Sequence, residues 1–410
     1  MHTAGINVSS AFTICLTIVK LKKGKMMHIG IVSTWLNRGQ ATVSRYLRSI
    51  LDELGHKTFV LARPTRDNDA LPKFIAKSDV WEQEGVAHAS NFVIPLKEYK
   101  EWAVHNSLDL IFFDSNLQFK EIAALRAMGI KTIGRFIWES FGIQHLTGYK
   151  KIPLKPFMWK MAGRCLLSNS GIRPMKGAID AYDIIYSLNK CECTRYADFG
   201  VDSPWVPWGC HPELLNSVSK KRGDAIYFYF PGGFQGGRKP IRKTVKAFTQ
   251  VQNPNIRLII KAQGERSNTE HIDDFTDKRI IHIKEDLSAK EYYDLFSSCH
   301  VCLAPSRWEG LGQHFYEAVS FGLPTITNNI PPHNEVIQDR YNGILVKSHK
   351  TGYTASGIPY FDPDVEDLTR AIAELSDPET VEAYARNTVA SQKIFSWENT
   401  IKHAKDAFGL

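Results

Sequence analysis

Two carboxylates, Glu309 and Glu317, stand eight positions apart in the segment PSRWEGLGQHFYEAVSFGLP (305–324), with the glycine turn Glu309-Gly310-Leu311-Gly312 after the first. That turn leaves backbone N–H groups free where a helix is predicted to begin, at about Gln313. Amides at a helix start carry partial positive charge and lack intrahelical partners, so they bind anions. A carboxylate, in turn, accepts hydrogen bonds from hydroxyls. Glu309, beside the turn, suits the hydroxyls of a sugar. Glu317, about one turn into the helix, suits the paired hydroxyls of a ribose. Hydroxyl acceptors around an anion site fit a sugar carried on a nucleoside diphosphate. The plain alternative is an ordinary glycine turn, followed by acids that complement a helix dipole.

A second constellation is Pro231-Gly232-Gly233-Phe234-Gln235-Gly236-Gly237-Arg238-Lys239-Pro240. Four glycines after an apolar run let the backbone curl close to a ligand, and successive N–H groups can form an anion nest. Arg238 offers a bidentate fork to phosphate and Lys239 a point charge. Fixed cations there would stabilise the charge that develops on a departing diphosphate. A P-loop nucleotide hydrolase has similar glycine spacing, but it requires Lys followed by Ser or Thr, where this chain has Arg238 and Lys239. A flexible turn with surface charges is the simpler rival. No metal or cofactor is expected, because the motif lacks the paired carboxylates that usually hold magnesium between phosphates.

These residues need a scaffold that aims them at one place. From His28 the pattern reads strand, loop and helix: HIGIVST, WLNRGQ, then ATVSRYLRSILDELGH, with apolar residues at 43, 47, 50, 51 and 54 in a helical period. Strands are predicted over Thr58–Ala62, Leu108–Phe113 and Lys131–Ile137, the last two separated by a helix over Phe119–Met128. The second half repeats the scheme. Strands are predicted over Ala225–Phe230, Arg257–Lys261, Ile280–Ile283 and His300–Ala304, with helices over Ile241–Gln250 and Ala289–Ser298. Such alternation predicts an α/β fold of two parallel sheets with crossover helices. The proline-rich stretch 202–209 marks the boundary. The expected divisions are an arm or over-long start at 1–26, a first domain at 27–204, a second at 205–390 and a closing helical segment at 391–410. Open parallel sheets bind ligands at their strands' carboxyl ends, so two facing sheets would share one cleft.

Composition narrows the class. The 410 residues carry a formal net charge of +8, with 51 basic against 43 acidic side chains. That balance suits an anionic substrate or membrane surface but is too mixed to argue for nucleic acid. Seven cysteines, several inside apolar runs, predict reduced thiols and a cytoplasmic setting. The apolar run Ala11–Val19 is too short to span a bilayer, and lysines follow it rather than precede it. In 146–164, LTGYKKIPLKPFMWKMAGR, five cations alternate with Tyr149, Phe157, Met158 and Trp159. This suits peripheral contact with a membrane interface, or equally a solvated loop with a few core anchors.

The string P-S-x-x-E-G-x-G, seven residues between two glutamates, then G-x-P-x-I resembles the donor-site motif of retaining glycosyltransferases of family four. The resemblance implies the GT-B architecture of two facing Rossmann-like domains. It further implies a hexose moved from a nucleotide sugar to an acceptor hydroxyl of a glycan or lipid-linked saccharide. By it, Glu309 positions the donor sugar, Glu317 the ribose, and Lys239 with Arg238 the diphosphate. Gly39, Gly233, Gly310, Leu311 and Gly312 line the donor, and Glu139 stands near the reacting sugar. VPWGCHPELL (206–215) resembles the family's interdomain segment, with Trp208 and His211 where asparagine and an acid are usual. Phe395–Thr400 and the helix after it resemble the family's C-terminal return helix. Other departures are Phe234, where an arginine is usual, and Pro331-Pro332 in place of paired glycines. A non-catalytic sugar-binding protein and an inverting transferase, with Glu139 as base, remain the rivals.

Overall fold

The computed structural model describes residues 25–65, 79–136, 180–197, 200–233, 237–262, 276–354 and 358–410. Six strands build the first sheet: β1 (His28–Thr34), β2 (Lys57–Arg63), β3 (Val86–His88), β4 (Leu110–Asp114), β5 (Lys131–Arg135) and β6 (Ile184–Ile185). Six more build the second: β7 (Ile226–Gly233), β8 (Ile256–Ala262), β9 (Ile280–Ile283), β10 (Val301–Leu303), β11 (Thr325–Asn328) and β12 (Gly343–Val346). The orders are β3-β2-β1-β4-β5-β6 and β12-β11-β10-β7-β8-β9, parallel throughout. Both follow the doubly wound pattern, in which strand order reverses beside the first strand of each sheet. The reversals fall between β1 and β4 and between β7 and β10. Chain leaves these neighbouring strands in opposite directions, which opens a crevice at their carboxyl ends.

Local sequence explains most of this. All five residues of β4, LIFFD, are buried, as a parallel strand covered on both faces requires. The helix Gly39–Glu53 buries Val43, Leu47, Ile50 and Leu51 against the sheet. It begins two residues earlier than the apolar period suggests and stops at Glu53. Gly55, at φ +84°, takes the left-handed conformation that ends a helix. Elements with weak periodic signals went unread in the sequence. They include β3, the two-residue β6, the helix Lys190–Ala197 and an antiparallel hairpin of β13 (Ser348–Tyr353) and β14 (Pro359–Pro363). β11, β12 and the helices Leu96–His105, Val365–Glu374 and Pro378–Ser391 also went unread.

The halves share apolar packing. One continuous cluster joins Trp35 and Tyr46 of the first half to Trp208, Tyr293, Phe296 and Trp397. Tyr46 stacks on His211 with ring centroids 3.8 Å apart, and Trp397 meets the edge of Trp208 at 5.5 Å. Trp208 and His211 thus fill the junction with aromatic surface. An acid does occur there, two positions later: Glu213 accepts both Nη atoms of Arg45, at 2.6 and 2.9 Å. The last helix, Trp397–Phe408, returns to the first sheet. Its Phe408 packs edge-on against Phe112 and Tyr186, each at 4.9 Å, and Lys131 Nζ donates to the Phe408 carbonyl at 2.6 Å.

Phe408 is fully buried, so Phe408→Ala should destabilise the fold by about 3–5 kcal/mol. A thermal or denaturant transition matching the unsubstituted protein would show that the helix is not docked in solution.

Candidate functional site

The two loops singled out in the sequence flank the switch point of the second sheet. β7 runs into Gly232-Gly233, where the backbone passes close to its neighbour: a Cβ on Gly232 would lie 2.9 Å from the Lys261 carbonyl oxygen. Gly233 has φ +53°, a left-handed geometry that glycine adopts without strain. Residues 234–236, including Phe234, lie outside the described residues. The chain then presents Arg238 and Lys239 before the helix Ile241–Gln250. On the other side, β10 leads through Pro305 and Ser306 to Glu309. Gly312, at φ +73°, starts the helix Gln313–Ser320, and a Cβ there would strike the Phe315 ring at 2.6 Å. Only glycine fits that position.

Three predicted residues meet in one cluster. Lys239 Nζ donates to Glu309 Oε1 at 2.7 Å and to Ser306 Oγ at 2.8 Å. Arg238 Nη1 donates to Glu309 Oε2 at 3.2 Å. Glu309 and Lys239 are buried, at 5% and 9% exposure, so the pair attracts with little solvent screening. Burial pushes the Glu309 carboxyl upward, but the Lys239 and Arg238 cations outweigh it and hold the group well below the usual carboxylate range. His314, in the first turn of the helix, places Nε2 3.9 Å from Glu309 Oε1, too far for a hydrogen bond. Burial and the neighbouring Lys239 hold its imidazole neutral at pH 7. Burial likewise holds His333 down, to about 3.

Glu317 lies one helical turn beyond Gln313 and is half-buried. It accepts from the Tyr292 hydroxyl at 2.8 Å rather than joining the cationic cluster. Burial pushes its carboxyl up to about 7, against the pull of Tyr292 and Lys239. Gly310 and Leu311 are buried in the turn between the two acids. Gly39 opens the first helix across the cleft, where a Cβ would stand 3.0 Å from Gln313 Oε1. The carboxyl edges of the two sheets therefore face each other. Asn37 Nδ2 donates to the Leu287 carbonyl at 3.0 Å, and Arg38 pairs with Asp286 at 3.5 Å. Ala262, Asp286 and Leu287 sit at the ends of β8 and β9.

The first sheet's switch point carries its own polar group. Asp114, at the end of β4, accepts from Ser44 Oγ at 3.1 Å, and Ser33 Oγ lies 2.8 Å from Ser44 Oγ. Burial pushes Asp114 up to about 6 despite the opposing Arg135. Sequence reasoning passed over Asp114, Ser306, His314 and Tyr292. Ser306 and His314 lie inside the motif string, whereas Tyr292 is 25 residues away on another helix and gave no local signal. Glu139 and the basic, aromatic stretch 146–164 lie outside the described residues. Among the described residues, no group of three or more His, Cys, Asp or Glu side chains is arranged to hold a metal ion. Among them too, no helix is long and apolar enough to cross a membrane, and the five cysteines are free thiols.

The raised value of Glu317 sets a pH test. Because the fold favours its neutral form, the penalty for ionising it is absent below the ordinary value of 4.5, grows as pH rises, and is complete above about 7. Glu317→Gln should therefore raise Tm at pH 8 and leave it nearly unchanged at pH 4. An equal gain at both values would show that the carboxyl does not titrate in this way.

Residues 215–358 match the family described as "Glycosyl transferases group 1". An uncharacterized glycosyltransferase of Methanocaldococcus jannaschii is 24% identical over 203 residues, 48% of this chain and 52% of that protein. The match thus spans about half the length of that curated relative. Sucrose-phosphate synthase from Thermosynechococcus elongatus superposes with a TM-score of 0.66 at 17% identity, over 93% of this chain and 98% of its own. The pneumococcal O-GlcNAc transferase GtfA, solved with UDP and GlcNAc, gives 0.64 at 11% identity, over 94% and 99%. The fold of this chain is the GT-B fold of glycosyltransferases, and its second half carries the sequence likeness to group 1.

Proposed function

We propose that the protein is a retaining glycosyltransferase that moves a hexose from a nucleoside diphosphate to an acceptor hydroxyl. The observation that carries this reading is the Lys239–Arg238–Glu309 cluster at the switch point of the second sheet, beside the amides that open the helix at Gln313. Two cations and a helix start form an anion site. Without a ligand, the Glu309 carboxylate takes both cations.

In this reading the diphosphate lies against Lys239, Arg238 and the amides of 310–313. The glycine loops at Gly233 and Gly39 let the backbones close on the donor from either side. Glu309 accepts hydroxyls of the donor sugar, and Glu317 accepts those of the ribose. As the bond from the anomeric carbon to phosphate oxygen breaks, negative charge grows on the diphosphate, where Lys239 and Arg238 lower its energy. The acceptor oxygen bonds to the anomeric carbon from the face the diphosphate leaves, and its proton passes to a phosphate oxygen. These groups carry the charge without a metal or other cofactor. GtfA, bound to UDP and GlcNAc, supports the donor class. The acceptor, a glycan or lipid-linked saccharide, belongs to the first domain, with Glu139 beside the reacting sugar and 146–164 resting on a membrane surface in the cytoplasm. Domain limits of 27–204 and 205–390, with 391–410 returning to the first domain, complete the proposal.

An inverting transfer on the same fold requires a positioned base in the first domain. Asp114, pushed up to about 6 at the first switch point, is a described carboxyl that it could use. The anomeric configuration of the product, read by proton NMR, separates the two.

The donor is found by screening nucleotide sugars for thermal stabilisation and turnover. Lys239→Ala and Glu309→Gln should each lower kcat on that donor by roughly a hundredfold or more. Turnover unchanged in both variants would remove the cluster from the site.

A further inference from the structure

The helix Lys190–Ala197 follows β6 in the first half, yet its N-terminus is capped from the second. Glu335, on the short helix His333–Val336 after β11, accepts the N–H groups of Lys190 at 2.7 Å and Cys191 at 2.8 Å, one with each carboxylate oxygen. Asn189, 2% exposed, faces both ways. Its Oδ1 accepts from the Glu192 N–H at 2.8 Å and the Cys191 Sγ at 3.0 Å, while its Nδ2 donates to the Gly310 carbonyl at 2.9 Å. Gly310 is the first residue after Glu309 in the donor turn. The helix is in turn fixed to the first sheet by Glu192, fully buried and paired with Arg135 at 2.9 Å. Glu192 also accepts the Leu188 N–H at 2.7 Å.

The two halves therefore exchange caps. The second lends a carboxylate to a helix start of the first, and the first lends a side-chain amide to the donor turn of the second. Opening the cleft breaks both at once. It strands the buried amide of Asn189 and uncovers the N–H groups of 190 and 191, which then depend on water. We infer that Asn189 is a positioning residue for the donor turn. By holding the Gly310 carbonyl, it fixes the plane in which the amides of Leu311, Gly312 and Gln313 face the diphosphate, and Glu335 locks the closed arrangement in which that contact exists. The inference rests on the nucleotide-sugar reading for its effect on turnover, but not for its effect on closure.

Asn189→Asp separates the two roles of the side chain. Aspartate keeps the oxygen that caps Glu192 and is as good an N-cap as asparagine, so the helix should survive. It replaces the Nδ2 donor with an oxygen that repels the Gly310 carbonyl. The expected result is a folded protein with a lower Tm, because the new carboxylate is buried without a cation, and with kcat/KM for the donor lower by roughly tenfold to a hundredfold, the loss typical of a displaced reacting group. Small-angle scattering of the ligand-free protein should show a larger radius of gyration for Asn189→Asp and for Glu335→Ala. Glu335→Gln, which keeps one acceptor oxygen, should fall between Glu335→Ala and the unsubstituted protein in both scattering and kcat/KM. An Asn189→Asp protein with unchanged kcat/KM and scattering overturns the inference. So does a Glu335→Ala protein that loses Tm without expanding, since a merely structural cap would do that. If the unsubstituted protein turned over no nucleotide sugar, the donor reading would fall, while the scattering comparison would still decide the closure lock.

Discussion

The ion pair between Lys239 and Glu309 is the contact on which the candidate site turns. Two opposite charges are withdrawn from water where the β7 and β10 loops converge, and each justifies the burial of the other. Leaving one of them without its partner costs about 3–5 kcal/mol, so the two loops have few alternative positions. Because the Glu309 carboxyl is held low in the folded protein, the pair contributes stability above the ordinary carboxylate range and loses it as pH falls toward the depressed value. In the proposed function, the pair is also what a diphosphate must reorganise. An anion arriving at the switch point competes with Glu309 for both cations, and the carboxylate so released is free to accept hydroxyls. In that proposal, binding charge and orienting the sugar become one event.

The glycines make that convergence sterically possible. Gly312 must be left-handed and lacks space for a side chain, because Phe315 occupies the volume a Cβ would need. Gly232 allows β7 to pass within contact of the Lys261 carbonyl. Gly39 lets the first half bring its loop to Gln313, so the donor turn is approached from above as well as from its own domain. The polar contacts across the cleft, Asn37 to Leu287 and Arg38 to Asp286, are then short without being imposed by any single strong interaction.

Much of the fold was legible because both halves repeat the same period changes. Runs such as LIFFD and IRLIIKA read as buried strands without further help, and the helix start at Gln313 followed from the glycine turn alone. The pairing of Lys239 with Glu309 was legible only as a shared purpose, since 70 residues separate them and nothing local states that their loops meet. Glu317 shows the limit of spacing arguments. Its position on the helix was readable, but its partner Tyr292 comes from a distant helix and sets the environment that raises its carboxyl. Asp114 was hidden for a similar reason: at the end of an apolar strand it reads as a strand terminus, and only the crossover topology places it in a crevice. The helix Lys190–Ala197 carries charge and cysteine where a periodic apolar face would have announced it.

The aromatic seam of Tyr46, His211, Trp208 and Trp397 has a consequence for how such a chain can change over time. A hinge made of polar linker would let either half be exchanged for a homologous one with new specificity. Here each half completes the other's hydrophobic interior, so a transplanted half must bring matching rings or leave a wet gap. Exchange of one half for another is therefore constrained by packing, and new preferences must arise by substitution within the loops.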